Sequence, residues 1–482
     1  MRVLKFGGTS VADRAAIERL SAIVRREAAA DRQSRNGARP GVVVVVSALA
    51  GVTDQLLAVA DLARRSEGDQ ALAILNALRD RHREVASMIA DAPARSDVCT
   101  LIDQQFHALA AAVRAVSLLR EVSPRSLDSI AATGEILSSR LVAAALDSPD
   151  LRARWADPRT LIVTDETFTC AVPLLAETGE RIAAALGGPL AAGEVVVTGG
   201  FVGASLRGLT TTLGRGGSDY SASIIGGALG ADEIQIWTDV DGMLTADPRV
   251  YPAPRVVPHL SFAEAAELAY FGAKVLHPKT IQPALSRGIP VRILNSRRPD
   301  APGTLITAKP DRSAAPVTAL ACKRSVTVID VTSTRMLEAY GFLRRLFEVF
   351  ERHQTSVDVV TTSEVSVSVT IDDRRHLDAI VRDLSAFAEV AVEDSMALVG
   401  VVGDNLPADP ATFARIVSAL VRTPLKLVSQ AASRRNVTVV LPESQLAAAV
   451  AALHDEFFGA TVAAGVPADA AVGESRVEGA RS

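Results

Sequence analysis

The chain is poor in several things that whole classes of function require. Its three cysteines, Cys99, Cys170 and Cys322, are too few and too scattered across 482 residues for a disulfide framework or a zinc spacing, so reduced thiols and a cytosolic compartment are expected. Aromatic residues make up 4%, which leaves little surface for stacking nucleobases. With a net charge of −4 and no basic run, neither nucleic acid nor an anionic membrane is an expected partner. The apolar run 42–46 is far too short to span a bilayer, as is every other uninterrupted apolar run in the chain, and the opening MRVLKFGGTS reaches glycine before a signal-peptide core can form. What remains is ordinary globular material, 48% hydrophobic and 22% charged, with length for about three domains of 100–200 residues.

Residues 210–219, TTTLGRGGSD, gather Gly214, Gly216 and Gly217 ahead of a run of small residues, 220–229, that reads as a helix with Ser218 and Asp219 at its N-cap. A glycine loop feeding a helix N-terminus turns bare N–H groups and the positive end of the dipole toward an anion. Arg215 adds a fork able to hold a carboxylate by two hydrogen bonds. Taken alone, such a loop is as readily a capped surface turn. Two more glycine turns argue otherwise. Lys5, Gly7, Gly8 and Ser10 close an apolar strand made of Val3, Leu4 and Phe6, and 47–53 closes the strand 42–46. A lysine just before bare backbone can reach over phosphates held by those N–H groups, although no GK[ST] follows and the turn is not a P-loop.

Glu135 is expected to open a helix running to 146, where an acid complements the dipole. Further strands are expected at 161–164, 195–198, 233–237 and 289–294. The TDVDG loop, 238–242, lies at the carboxyl end of a strand, where open α/β sheets bind ligands. Its aspartates lack the D-x-D-x-D-G spacing of a calcium loop, so no metal site is expected. Residues 1–310 therefore read as a parallel-core α/β domain. Beyond them, strands at 325–333, 356–362, 365–371 and 389–393, with helices at 341–354 and 376–387, spell β-α-β-β-α-β. Residues 396–458 repeat the pattern without its last strand, and 317–323 fills that vacancy, so the first unit, 325–395, is inserted in a second made of 311–324 and 396–460. Residues 461–482 read as a disordered tail.

KFGGTS, SALAGVT, GRGGSD, WTDVDG, DPR and FGAKVLHP, in one order, resemble the aspartate kinases. MLEAYGFLRRLF and VDVVTTSEVSVSVT resemble the monofunctional, lysine-inhibited subgroup. The resemblance covers roughly residues 1–458 and implies an amino-acid-kinase fold followed by two ferredoxin-like ACT regulatory domains. It implies transfer of the γ-phosphoryl of ATP, with Mg2+ carried on the nucleotide and no protein metal ligand, to the side-chain carboxylate of L-aspartate. That carboxylate, with a pKa of about 3.9, is already ionised and needs no strong base, so catalysis reduces to alignment and charge neutralisation. By the same resemblance Lys5 spans the transferred phosphoryl and, with Asp219, is catalytic. Gly7, Gly8 and Ser10 cradle phosphate. Arg215 takes the substrate α-carboxylate, Glu135 and Asp219 face its ammonium, and Ser47, Thr53, Gly216, Gly217 and Ser218 complete that pocket. Thr238, Asp239, Leu244, Arg249, Lys274 and Val275 fall on the nucleotide side, with Leu244 where the family commonly has an aromatic, giving up stacking worth about 1 kcal/mol. A lysine or threonine effector is expected at Met336, Gly341, Phe342, Leu343, Asp358, Ser363 and Glu364, in a homodimer or homotetramer formed through the ACT domains. Two alternatives stand: another acylphosphate-forming kinase acting on glutamate, acetylglutamate or carbamate, and a silent amino-acid sensor on the same fold.

Overall fold

The computed structural model describes residues 1–34, 41–271, 278–309, 316–336, 340–430 and 434–459. Its centre is an eight-stranded sheet holding, in spatial order, Ala153–Ala156, Val195–Gly199, Val42–Val46, Arg2–Phe6, Glu233–Thr238, Val291–Asn295, Thr304–Thr307 and His259–Ser261. The first six run parallel, and Thr304–Thr307 turns antiparallel to Val291–Asn295. A run of five valines makes a strand here because both of its faces are dry. Val42, Val44 and Val46 enter the core on one side of the sheet, and Val43 and Val45 enter the core on the other. All five are at most 1% exposed, and each such burial is worth roughly 1.5–3 kcal/mol.

The helix Pro124–Leu146 covers one face of this sheet. Ser123 caps it, accepting from the Ser126 amide at 3.1 Å, and Pro124 fills the first helical position, where a missing N–H costs nothing. Its composition would let it cross a membrane, yet 78% of its apolar window is buried inside the protein. Glu135 therefore sits in the middle of a helix and not at its start, as expected from sequence. Gly134, just before it, is a packing position, since a Cβ on it would stand 2.8 Å from the Ala48 Cβ. The expected strand 161–164 is likewise shorter: Pro158–Leu161 is a helical turn capped by Asp157, and only Val163–Thr164 pairs, in a small sheet with Val202–Ser205 and Thr210–Thr212.

The C-terminal part is a six-stranded antiparallel sheet in the order Val360–Thr362, Ser366–Ile371, Val317–Thr332, Glu389–Gly403, Asn436–Pro442 and Leu427–Ser429. Two strands run through its whole length. Val317–Lys323 pairs with the second half of Glu389–Gly403, and Val326–Thr332 pairs with the first half. Between the halves the register shifts, and Ser325 and Ser395 turn left-handed at φ 56° and 58°, a bulge that bends both strands together. Lys274, Val275 and the tail from 460 onward lie outside the described residues.

Candidate active site

The carboxyl ends of the parallel strands meet two helix N-termini around a cleft of about 550 Å³. Its floor is Lys5, near the end of the first strand and only 8% exposed. Lys5 Nζ lies 2.7 Å from Asp219 Oδ1, a contact of charges whose angles are not those of a hydrogen bond. Asp219 is held there by the glycine loop. Gly214 and Gly216 adopt φ of 74° and 72°, and Gly216 caps the helix Gly217–Leu229. Ser218 and Asp219 are therefore the second and third residues of the helix, inside its first turn, and not at the cap position assigned from sequence. A left-handed glycine makes the tighter turn and leaves the side chains free to face the cleft. Two neighbours confirm how close the backbone runs: a Cβ on Gly200 would lie 2.7 Å from Ser218 Cα, and one on Gly217 would lie 2.7 Å from the Phe201 ring.

The wall of the cleft is the helix Pro124–Leu146. Glu135 is 3% exposed; its Oε1 accepts from the Thr53 hydroxyl at 3.4 Å, and its Oε2 has no partner. Burial pushes this carboxyl up to about 7, against the pull of hydrogen bonds from the Ala48 amide and Thr53. Arg215 is exposed at the rim and makes no ion pair among the described residues. Ser47 and Thr53 line the same space, at the turn where Gly51 caps the next helix. An unpaired buried acid and an unpaired guanidinium thus share one cavity with a lysine–aspartate pair, which is the complement of a small zwitterion carrying one further negative charge.

Asp128 is a residue that sequence reasoning missed. It is 1% exposed, accepts from the Thr212 hydroxyl at 2.6 Å and amide at 3.1 Å, and from the Thr169 amide at 3.0 Å. It ties the strand before the glycine loop to the wall of the cleft. The signal was spacing: Asp128, Ala131 and Glu135 are at i, i+3 and i+7 of one helix and all line the cleft.

Beside the cleft, parallel pairing of Arg2–Phe6 with Glu233–Thr238 brings two loops together, and the Gly7 amide donates to Trp237 O at 3.1 Å. Ser10 Oγ is 2.8 Å from Ser296 Oγ, whose amide donates to Thr238 O. A Cβ on Gly8 would stand 3.3 Å from Ala48 O. Thr238 donates to Asp239, which is exposed. Leu244 and Arg249 are further along, outside the residues that line the cleft, and Arg249 is paired with Asp247 at 2.6 Å.

The expected effector residues gather at one end of the C-terminal sheet. Gly341, at φ 83°, caps the helix Phe342–Arg352; Phe342 is buried, Met336 packs on the same core, and Leu343 is exposed. Ser363 and Glu364 form the exposed turn between two strands, with Ser363 Oγ 2.7 Å from Ser366 Oγ. Asp358 is half-buried and already partnered: Lys323 Nζ lies 2.7 Å away, the Tyr270 hydroxyl donates to it, and burial pushes its pKa up.

Residues 1–295 match the amino acid kinase family, and residues 399–457 match the ACT domain. Over 95% of its length the chain is 36% identical to lysine-sensitive aspartokinase 3 of Escherichia coli, spanning 99% of that protein. Over 95% it is 37% identical to chloroplastic aspartokinase 3 of Arabidopsis thaliana, spanning 81% of it. The crystal structure of E. coli aspartokinase III in complex with aspartate and ADP, in its R-state, is similar with a TM-score of 0.79 at 35% identity, covering 95% of this chain and 100% of that one. The same enzyme with lysine and aspartate, in its T-state, gives 0.78 at 35% identity, over 95% and 99%.

Proposed function

The chain belongs to the aspartokinases, within the amino acid kinase family, and we propose that the cleft between Glu135, Arg215 and Lys5 is where it holds aspartate. The reaction transfers the γ-phosphoryl of ATP to the side-chain carboxylate of L-aspartate, giving 4-phospho-L-aspartate and ADP, the first step toward lysine, threonine and methionine. A carboxylate oxygen attacks the γ-phosphorus, the bond to the β–γ bridging oxygen breaks, and ADP leaves with that electron pair. Nothing has to remove a proton.

The observation that carries the site assignment is the unpartnered Oε2 of buried Glu135 in the same cleft as unpaired Arg215. Glu135 takes the substrate ammonium, which supplies the cation that its carboxylate lacks, and Arg215 takes the α-carboxylate in a fork. The side-chain carboxylate then points at Lys5, whose charge neutralises the transferred phosphoryl while Asp219 holds its Nζ in place. Gly7, Gly8 and Ser10 offer backbone N–H and hydroxyl groups to the phosphates, with Thr238, Asp239, Leu244, Arg249, Lys274 and Val275 along the nucleotide. Mg2+ enters with ATP as part of the substrate.

Lysine is the effector this reading favours, since the E. coli relative is described as lysine-sensitive and has been solved with lysine. It binds among Met336, Gly341, Phe342, Leu343, Asp358, Ser363 and Glu364, in a homodimer or homotetramer formed through the ACT units. The domain limits in this reading are 1–310 for the kinase, 325–395 for one ACT unit, and 311–324 with 396–460 for the other, a division supported by the pairing of Val317–Lys323 with the second half of Glu389–Gly403. A cytoplasmic setting fits the three free cysteines.

Hydroxylamine trapping of the acylphosphate from aspartate and MgATP, with and without millimolar lysine or threonine, tests both halves. Turnover suppressed by lysine is the expected result. Turnover indifferent to both amino acids would discard the effector assignment, and faster turnover with glutamate would discard the substrate.

A further inference from the structure

The segment that carries Leu244 and Arg249 is not braced by the kinase sheet alone. Leu244 and Val256 form an isolated antiparallel bridge, with the Thr245 amide donating to Arg255 O at 2.8 Å and the Val257 amide donating to Met243 O at 2.8 Å. Three of its side chains, Ala246, Val250 and Tyr251, turn toward the core of the C-terminal unit, while Pro248 and Arg249 between them are exposed. Ala246 is 2% exposed within the cluster that holds Ile416, Leu453 and Phe457, and Val250 and Tyr251 pack on the same cluster.

At the centre of this contact stands His454, on the last helix, Leu446–Phe458, and 3% exposed. Its Nε2 is 2.9 Å from the Thr245 hydroxyl, and its ring stacks on Tyr251 at 4.0 Å and 26°. Thr245 is 5% exposed, and the Arg255 amide donates to its hydroxyl oxygen at 2.9 Å. The hydroxyl proton is then free to go to His454 Nε2, which requires an imidazole that accepts there. Burial and nearby Arg255 hold the imidazole below its usual pKa, against the opposite pull of Asp455. The ring is therefore neutral at pH 7, which suits the acceptor role. One imidazole thus grips both ends of the segment, Thr245 by a hydrogen bond and Tyr251 by its face, and the Tyr251 hydroxyl reaches on to Asp455 at 3.3 Å.

We propose that His454 is a positioning residue for the nucleotide: through Thr245 and Tyr251, the last helix of the regulatory part sets the placement of Leu244 and Arg249 for ATP. The inference rests on the reading of those two residues as nucleotide-side. It makes the C-terminal unit a permanent part of the ATP site, whether or not an effector is bound.

The test uses the full-length enzyme. His454→Phe keeps the ring on Tyr251 and removes the acceptor; Thr245→Val removes the hydroxyl; His454→Gln restores an acceptor at similar reach. His454→Phe and Thr245→Val are each expected to raise KM for MgATP roughly five- to tenfold, with KM for aspartate and kcat within about twofold of wild type. His454→Gln should return KM for MgATP to within about twofold. If His454→Phe is folded and keeps the wild-type KM for MgATP, or raises both KM values alike, the positioning role is wrong. Should His454→Phe fail to fold, Thr245→Val decides by the same criterion. Arg249→Ala separates the two levels. If it raises KM for MgATP while His454→Phe does not, this inference alone falls; if it leaves KM for MgATP unchanged, the nucleotide-side reading falls and takes the inference with it.

Discussion

Lys5 and Asp219 meet across the cleft with Nζ 2.7 Å from Oδ1, one from the first strand and the other from the first turn of the helix Gly217–Leu229. The pair joins the two glycine turns that the reaction needs, because the cation at the phosphoryl is set by an anion on the substrate loop. Lys5→Met is expected to lower kcat by roughly 10²–10³-fold, with KM for aspartate changed only a few-fold. Asp219→Asn should lower kcat as well and cost about 1–3 kcal/mol in chemical denaturation, since it strips a charge partner from a nearly buried ammonium. Lys5→Met with wild-type kcat would remove Lys5 from the chemistry.

Glu135 gives a pH signature. In the empty cleft its pKa is about 7, above the ordinary 4.5, because burial disfavours the charge. The substrate ammonium favours the ionised form, so binding below pH 7 must expel a proton. KM for aspartate should then rise about tenfold per unit as pH falls below 7, and level off above it. The stability sign is opposite. Between pH 4.5 and 7 the folded protein keeps a proton that the unfolded chain has lost, so this group makes the ligand-free protein less stable as pH rises through that window. Glu135→Gln should raise KM for aspartate roughly 10–100-fold and abolish both dependences. At pH 8 the ligand-free variant should melt no lower than wild type. A wild-type KM in Glu135→Gln would sink the assignment.

Gly200 tests the geometry behind the pair. A Cβ there would stand 2.7 Å from Ser218 Cα and Cβ, so Gly200→Ala must push the turn that carries Asp219. The expected loss is at least about tenfold in kcat/KM for aspartate, with about 1–3 kcal/mol of stability. Gly187→Ala is the control: it lies in the helix Leu175–Ala191 with nothing within 4 Å of the added Cβ, and should gain roughly 0.5–1 kcal/mol with activity unchanged. Equal kinetics in the two variants would contradict the crowding at Gly200.

Much of the kinase sheet was legible because strands buried on both faces are written as bare apolar runs, as in 42–46 and 195–198. The glycine loop was legible because only glycine suits φ near 73° at both Gly214 and Gly216. The start of the helix carrying Glu135 was placed at Glu135, while the true start, Ser123–Pro124, lies more than two turns earlier. Asp128 was missed because a buried acid shows its purpose only when Thr212 and Thr169 come to it through the fold. The long strands Val317–Thr332 and Glu389–Gly403 were each read as two, since the bulge at Ser325 and Ser395 breaks the alternation. The pairing of Asp358 with Lys323 was not legible, because Lys323 sits on another strand, out of sight of local pattern.

That pairing separates the two effector acids. Glu364 is exposed and makes no ion pair among the described residues, whereas Asp358 already neutralises Lys323. Glu364→Ala should raise the lysine concentration for half-inhibition at least about tenfold with kcat unaffected. Asp358→Ala should do the same and also lower the melting temperature, because Lys323 loses the less exposed of its two carboxylate partners and keeps only Asp372. Wild-type inhibition in Glu364→Ala would show that the effector sits elsewhere.

The most direct measurement is the preference for aspartate over succinate, which lacks only the ammonium, read as acylphosphate formed by the wild type and by Glu135→Gln. If Glu135 and Arg215 hold the two ends of the amino acid, the wild type prefers aspartate by well over tenfold in kcat/KM, and Glu135→Gln loses most of that preference while Arg215→Ala weakens both acceptors alike. An undiminished preference for aspartate in Glu135→Gln would contradict the placement of the substrate in this cleft.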